Sequence, residues 1–212
     1  HNGTESMTDT VRKATVVALG ILMLALGACA NQTRGENTAR ASGAPPPPQT
    51  AENSYGRDEI MAKAGGFFGE TTDGLAKAIE HVFNDQGRPN AYIAGEEISG
   101  AIGVGLRYGE GVLHAKAGGS RDVYWQGPSI GFDAGANASK VFVLIYGLGS
   151  TDAIYQRFPG VDGSFYFVAG VGVNYQRSGH IVLAPIRTGV GLRAGANIGY
   201  LHYTPEESWI PF

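Results

Sequence analysis

Five polar residues in the glycine-rich C-terminal part of the chain are the first candidates for chemistry. They are Arg107, Asp133, Asn137, Arg187 and Arg193. Charged groups inside a small β-protein are costly unless they pair with each other or face a wet cleft. Two interpretations follow. The residues form either an internal network of ion pairs or, together with Trp125 and Tyr124, a site for an anionic, amphiphilic ligand such as a lipid headgroup.

A second candidate is Ser129, because residues 127–131 read Gly-Pro-Ser-Ile-Gly and match the G-x-S-x-G motif of serine hydrolases. In that motif the serine occupies a strained turn between a strand and a helix, with a base nearby. Here strand periodicity continues from Phe132, and no base is paired locally with Ser129. We therefore interpret the segment as a proline turn that enters a strand. We predict that the protein is not an enzyme, with a serine hydrolase using Ser129 as the alternative.

Neither a metal nor a cofactor is predicted. The histidines at 81, 114, 180 and 202 are scattered without the spacing of a metal site. The glycine repeats that begin at Gly103 and Gly189 are similar to dinucleotide-binding loops, but such loops need a helix N-terminus for the pyrophosphate, and none follows either repeat.

The only cysteine, Cys29, ends a segment with the features of a bacterial lipoprotein signal. Arg12 and Lys13 precede an apolar run at 14–26, which is short for a transmembrane span, and small residues come before the cysteine. In such signals the thiol receives a diacylglycerol, and cleavage leaves Cys29 as the new N-terminus. We predict a membrane-anchored protein on the periplasmic side of the cell envelope, at the outer rather than the inner membrane. An ordinary cleaved signal that leaves a free periplasmic protein is the alternative.

The prediction divides the chain into four parts. They are an upstream remnant at 1–6, the signal peptide at 7–28, the lipidated cysteine with a proline-rich linker at 29–57, and a folded β-barrel domain at 58–212. Four consecutive prolines at 45–48 make part of the linker an extended spacer. The formal net charge is −3 and there is no basic block, so no nucleic-acid partner is predicted.

One amphipathic helix is predicted at 72–86, before the strands begin. Its apolar residues follow the spacing i, i+3, i+4, i+7 and i+8: Leu75, Ala78, Ile79, Val82 and Phe83. Thr71 or Thr72 can cap its N-terminus, and Gly87 with Pro89 ends it. A shorter helical piece is predicted at 150–157.

From Ala91 onward the periodicity becomes two, which predicts a mainly β fold: an antiparallel, glycine-rich sheet of roughly eight strands, closed or nearly closed into a small barrel. Segments 101–108, 129–136 and 188–203 carry apolar residues on one face and glycine or polar residues on the other, and 165–175 alternates similarly. Segment 141–146 is continuously apolar, so we expect it to be covered on both sides, with the amphipathic helix on one of them. Turns are predicted at 109–111, 162–163 and 178–179.

The alternation leaves two orientations of the barrel open. The apolar faces point either inward, as a dry core, or outward, as in a transmembrane β-barrel with a polar interior. We favour a soluble, tethered barrel, because Pro211 and the two glutamates at 206–207 do not suit a closing strand. A transmembrane outer-membrane barrel is the alternative.

Several segments of the domain resemble the envelope integrity protein A family of Gram-negative bacteria. The resemblance lies in the motifs at 124–133, 137–144, 156–164, 171–175, 183–187 and 209–212. It implies a periplasmic protein with a small β-barrel, needed for cell-envelope integrity and without a known catalytic activity. That family is usually described as exported rather than lipidated, so Cys29 is a departure from it.

More distantly, Trp125, Pro128 and the strands at 131–135 and 141–145 look like the lipid-binding SYLF domain, and this similarity implies lipid binding. We predict a lipoprotein that maintains envelope integrity by binding a lipid, lipopolysaccharide or an envelope protein. The predicted ligand-binding residues are Trp125, Asp133, Asn137, Arg107, Arg187 and Arg193.

Overall fold

The computed structural model of the protein describes residues 51–188 and 199–208, with side chains at 52–99, 105–128, 138–188 and 199–208. The predicted signal peptide, Cys29 and Arg193 lie outside the described residues. The side chains of Ser129, Asp133 and Asn137 lie outside them as well.

Two α-helices precede the sheet: α1 (Arg57–Phe68) and α2 (Asp73–Gln86), with short 3-10 turns at Ala51–Asn53 and Thr151–Ile154. Helix α2 confirms the predicted amphipathic helix. The Thr72 hydroxyl caps it by accepting a hydrogen bond from the Leu75 amide at 3.2 Å, and Gly87 ends it. The second 3-10 turn lies within the shorter helical piece predicted at 150–157. Among the described residues, no helix is long and apolar enough to cross a membrane.

Helix α1 was not predicted, because the pair Gly65-Gly66 lowers its intrinsic helix propensity by about 1 kcal/mol per glycine relative to alanine. Tertiary packing compensates for this loss, since Ile60 and Ala64 are fully buried in the layer between the helices and the sheet. Ser54 and Tyr55 are also buried, although the prediction assigned both to the linker.

Replacing Gly66 with alanine is expected to stabilise the domain by about 0.5–1 kcal/mol, because the position is exposed, helical and open to an added Cβ. Gly69 is the matched control: an added Cβ there would also meet open space, but its φ is +93°. Gly69→Ala should therefore destabilise the domain by about 1 kcal/mol. Urea denaturation of both variants checks the pair, and a loss of stability in Gly66→Ala would contradict the expectation.

Eight strands form one antiparallel sheet in the described part of the chain. They are β1 (Ala91–Ala115), β2 (Ser120–Tyr146), β3 (Arg157–Pro159), β4 (Tyr166–Val168), β5 (Val171–Val173), β6 (Gln176–Ser178), β7 (Ile181–Thr188) and β8 (Tyr200–Thr204). The predicted turn at 109–111 is wrong, since these residues continue β1 and the hairpin turns at 116–119 instead. The turn at 162–163 agrees with the prediction, whereas the turn predicted at 178–179 lies at 179–180, because Ser178 still belongs to β6. Segment 165–175 contains a hairpin of β4 and β5 rather than one strand, because Ala169 and Gly170 turn the chain with positive φ.

The long hairpin of β1 and β2 curls until the sheet nearly closes on itself. A register shift between Ser99 and Ala101 divides β1 into two halves, each paired with the opposite half of β2. Strand β7 joins the second half of β2, and β8 joins the first half. Strand β3 pairs with β8, β6 pairs with β7, and the bridge between Gly160 and Gln176 connects these two pairs. The Lys116 amide also donates to the Asn90 carbonyl at 2.9 Å, which ties together the two ends of β1. These pairings confirm the barrel-like, mainly β fold.

Two apolar layers lie on opposite sides of this sheet. One fills the barrel interior and includes Trp125, Phe158 and Tyr203, while the other lies between the sheet and the two helices. Segment 141–146 contributes alternately to both layers, with Val143 in the interior and Phe142 under the helices. Its prediction as a strand covered on both faces is confirmed.

The described residues of segment 101–108 turn their glycine and polar face inward. Leu106 is 41% exposed, whereas the Arg107 side chain is only 13% exposed and lies against a carboxylate inside the barrel. Ile98, earlier on β1, is 52% exposed. The favoured expectation of an apolar face turned inward is therefore wrong for Leu106. The glycines on the inward face make this orientation possible, because the facing strands of a curled sheet can approach each other closely only where no side chain lies between their backbones.

Candidate functional site

A buried carboxylate, Glu97, organises the polar side chains inside the barrel. Glu97 is 3% exposed, and two arginines approach it. The Arg187 Nε and Nη2 atoms donate to its Oε1 and Oε2 at 3.0 and 3.2 Å. The Arg107 Nε lies 3.2 Å from Oε1, and the Trp125 Nε1 donates to Oε2 at 3.0 Å. We call Glu97, Arg107, Arg187, Trp125 and Asn174 the interior cluster.

Three strands bring this interior cluster together. Glu97 and Arg107 stand on either side of the register shift in β1, so the curl of that strand makes them neighbours. Arg187 lies near the end of β7, opposite Val141 of β2 and Gly172 of β5. Trp125 on β2 packs over Gly109, where an added Cβ would collide with the indole ring. A glycine at 109 is thus needed to bring the indole N–H within reach of Glu97.

The electrostatics of the pair keep both partners charged. Burial by itself would raise the pKa of Glu97, but Arg107, Arg187 and the hydrogen bonds from Arg187 and Trp125 lower it to about 2. Burial opposes the charge of Arg187 too, yet the adjacent Glu97 carboxylate raises the pKa of Arg187 above its usual value. Glu97 is therefore ionised throughout the physiological range and is unsuited to transfer protons there.

In the described part of the interior cluster, the guanidinium groups of Arg107 and Arg187 both face the carboxylate of Glu97. Tyr203 beside them is neutral, since burial raises its pKa. Asn174 is 5% exposed; its Oδ1 accepts a hydrogen bond from Arg187 Nη1 at 2.8 Å. Its Nδ2 has no hydrogen-bond partner among the described residues. An unsatisfied buried donor beside a guanidinium group suits an anionic acceptor.

Of the residues predicted from the sequence, Trp125, Arg107 and Arg187 are brought together. Tyr124 does not join them. It lines a cleft in the surface of the sheet, and most of the other residues that line this cleft lie outside the interior cluster. Asp133 and Asn137 lie on β2, in register with Ala101 and Ser99. Their side chains, and Arg193 as a whole, lie outside the described residues.

Sequence reasoning missed Glu97 and Asn174. Glu97 adjoins Glu96 in the sequence, but it follows Ala91, Ile93 and Gly95 at intervals of two and so shares their face. An acidic residue on an apolar face was the available signal. Asn174 gave no such signal, because it lies between two strands of three residues each.

Ser129 lies inside the continuous strand β2, in register with Gly105. A nucleophile elbow requires the serine on a turn from a strand into a helix, and that backbone is not present at this position.

Three comparisons with known proteins bear on this chain. The sequence model of the family described as envelope integrity protein A matches residues 53–212. A crystal structure of a β-barrel-like, uncharacterised protein from Brucella abortus is similar, with 46% sequence identity and a TM-score of 0.68. The match covers 76% of this chain and 99% of that one. No curated protein matches the sequence.

Proposed function

Because this chain belongs to the envelope integrity protein A family, we propose that it maintains the cell envelope without catalysing a reaction, by binding an anionic envelope component inside its barrel. The ligand class is the anionic headgroup of a lipid or of lipopolysaccharide. The protein acts on the periplasmic side of the envelope, where a lipid on Cys29 and the proline-rich linker tether it to the membrane.

The observation that carries this proposal is the unsatisfied amide of the buried Asn174, whose Oδ1 accepts a hydrogen bond from the guanidinium of Arg187. A buried amide donor without an acceptor costs about 1–3 kcal/mol, so an anionic acceptor there would relieve a penalty as well as make new contacts. Three of the five N–H groups of the Arg187 guanidinium donate to Glu97 and Asn174, so the other two can donate to an anion. Phosphate and carboxylate groups are the acceptors that arginine binds best.

The tether rests on the sequence of the N-terminal segment. Two or three acyl chains on Cys29 would hold the protein on a bilayer far more firmly than one, at about 0.8 kcal/mol for each buried methylene. Metabolic labelling with an alkyne fatty acid tests it: wild type should be labelled, and Cys29→Ser should not. Labelling that persists in Cys29→Ser would contradict the tether.

Native mass spectrometry with lipid extraction tests the ligand, on the chain from Ala51 onward expressed in a bacterial periplasm. The Brucella structure consists almost entirely of the matched region, so this part folds without the preceding segment. A stoichiometric anionic lipid supports the proposal, and an empty domain contradicts it. A domain that requires detergent would favour the transmembrane barrel, and loss of envelope resistance in folded Ser129→Ala would favour the hydrolase.

Replacing Asn174 with aspartate is expected to lower the occupancy of the bound anion at least about tenfold. The new carboxylate would still accept a hydrogen bond from Arg187 Nη1, so the fold should be retained, but it would lack the amide donor and would repel an anion. Asn84→Asp makes the same chemical change on the exposed surface of α2 and should leave occupancy unchanged. Equal anion occupancy in Asn174→Asp and wild type would contradict the site.

A further inference from the structure

Two phenylalanines at the start of the β4–β5 hairpin expose their rings to solvent. Phe165 is 46% exposed, and Phe167 on β4 is 40% exposed. The rings lie nearly parallel, with their centroids 6.5 Å apart and 15° between their planes. Neither ring belongs to the two apolar layers that the structure describes. Adjoining exposed apolar side chains are more typical of a binding surface than isolated ones. We call Phe165 and Phe167 the aromatic pair.

The aromatic pair lies on the same face of the sheet as Arg187. Phe167 stands opposite Gly172 of β5, and Gly172 stands opposite Arg187 of β7. Residues that stand directly opposite each other in an antiparallel sheet project from the same face. Tyr166 projects from the other face and stacks on His81 of α2, with ring centroids 3.8 Å apart. The aromatic pair therefore faces away from the helices, toward the side of the sheet that carries the interior cluster.

Gly172 places no side chain between the aromatic pair and Arg187. A Cβ built on Gly172 would lie 3.6 Å from the ring of Phe165 and 3.9 Å from the ring of Phe167, so both rings reach over this glycine. Two strand spacings separate Phe167 from Arg187 along the row, a distance of roughly 10 Å. One ligand of moderate length can therefore contact the guanidinium group and the aromatic pair at the same time.

The polar end of this row is the part of the interior cluster that has an unused hydrogen-bond donor. Asn174 is buried, and its Nδ2 has no hydrogen-bond partner among the described residues. Its Oδ1 accepts from Arg187 Nη1 at 2.8 Å, so the free amide lies beside the guanidinium group. The Arg187 side chain is 12% exposed, which leaves part of it accessible to a ligand. An anionic acceptor at this end and an apolar surface at the other are complementary to an amphiphile.

We propose that the ligand of the interior cluster is an anionic amphiphile whose hydrocarbon chain lies along the aromatic pair. This inference rests on the proposed function and adds a requirement for the chain, which a purely polar anion lacks. The anionic group accepts hydrogen bonds from Asn174 Nδ2 and Arg187, and the chain passes over Gly172 and covers the exposed faces of both rings. Removing these apolar faces from water stabilises the complex. Fatty carboxylates and alkyl phosphates share this chemistry.

Titration with decanoate tests this inference on the chain from Ala51 onward, with NMR of the Asn174 side-chain amide and calorimetry as the readouts. Acetate is the matched anion without a chain, and 1-decanol is the matched chain without a charge. We expect saturable binding of decanoate with a shift of the Asn174 amide. Acetate should shift the same amide with at least about tenfold lower affinity, because it leaves the rings exposed. The affinity for 1-decanol should also be at least about tenfold lower.

A double variant with Phe165→Ala and Phe167→Ala should lose at least about tenfold in affinity for decanoate and keep the response to acetate. Ile98→Ala is the control. It removes another exposed apolar side chain, which projects from the face of β1 opposite to Glu97, so the affinity for decanoate should be unchanged. Nuclear Overhauser contacts between the decanoate chain and the rings of Phe165 and Phe167 provide the same test in the wild-type domain. They should be observed, whether or not the double variant folds.

Equal affinities for decanoate and acetate would overturn the inference and leave the proposed function standing. The same holds for unchanged decanoate affinity in a double variant that is folded by circular dichroism, and for an absence of contacts between the chain and the two rings. Equal affinities for decanoate and 1-decanol would separate the chain from the anion and would also overturn it. If neither anion shifted the Asn174 amide, the inference and the proposed function would fail together. Decanoate and decyl phosphate distinguish the two sources: tighter binding of the former supports a fatty carboxylate, and tighter binding of the latter supports a phosphate lipid.

Discussion

Replacing Glu97 with glutamine is expected to destabilise the folded domain by about 3–5 kcal/mol, because the change removes the carboxylate that faces two buried guanidinium groups. Glutamine keeps the shape of the side chain and an acceptor for the Trp125 N–H. The loss of stability therefore measures the contribution of the negative charge. Urea denaturation followed by circular dichroism measures it. Glu96→Gln is the matched control, since the neighbouring side chain is exposed on the opposite face, and its effect should be within about 0.5 kcal/mol.

The same variant should change the response of the domain to acid. The pKa of Glu97 is about 2 in the folded protein and ordinarily 4.5, so the unfolded chain takes up the proton first as the pH falls. The stability that Glu97 contributes is therefore fully present above about pH 4.5 and is lost progressively as the pH falls toward 2. Glu97→Gln should lack this part of the acid dependence. Parallel stability profiles for wild type and variant between pH 5 and pH 2 would show that the carboxylate does not have this role.

Replacing Gly95 with alanine is expected to destabilise the domain by about 3 kcal/mol, at the upper end of the usual cost of overpacking. An added Cβ would collide with the carbonyl oxygen of Glu110 and would lie 2.8 Å from the Gly111 Cα. Both atoms belong to the backbone of the other half of β1, which cannot move aside without opening the curled hairpin. The variant should therefore lose near-ultraviolet circular dichroism together with stability.

Gly172 on β5 is the control for this prediction. An added Cβ there would lie 3.6 Å from the nearest atom, on the ring of Phe165, which is ordinary van der Waals contact. Gly172→Ala should change the free energy of unfolding by less than about 1 kcal/mol. If Gly95→Ala were as stable as Gly172→Ala, the close approach at Gly95 would not be what holds the barrel closed.

The elements that the sequence predicted well are those with strong local signals. Helix α2 has a single apolar stripe, a threonine cap and a glycine stop, and segment 141–146 is apolar without interruption. Local signals failed where tertiary packing overrides them. Helix α1 forms despite Gly65-Gly66, and the glycines at 109 and 111 continue a strand that their type alone would have ended.

The candidate site was predictable only in part, for a related reason. The arginines at 107 and 187 stood out as charges among glycines, and Trp125 stood out as the large aromatic residue near them. Their partner Glu97 is separated from Arg187 by 90 residues, and nothing local marks such a pairing. Arg187 and Glu97 meet because β7 and the curled β1 both pair with β2.

The sequence by itself determined that the domain is mainly β, that its strands have two unlike faces, and that one amphipathic helix covers part of the sheet. These properties follow from periodicity, which the pleat and the helical turn impose locally. Only the tertiary structure decided which face of each strand lies inside the barrel. Alternation separates the two faces without orienting them, and the curl of the β1–β2 hairpin, made possible by the close approach of Gly95 to Gly111, is what turns Arg107 inward and Leu106 outward.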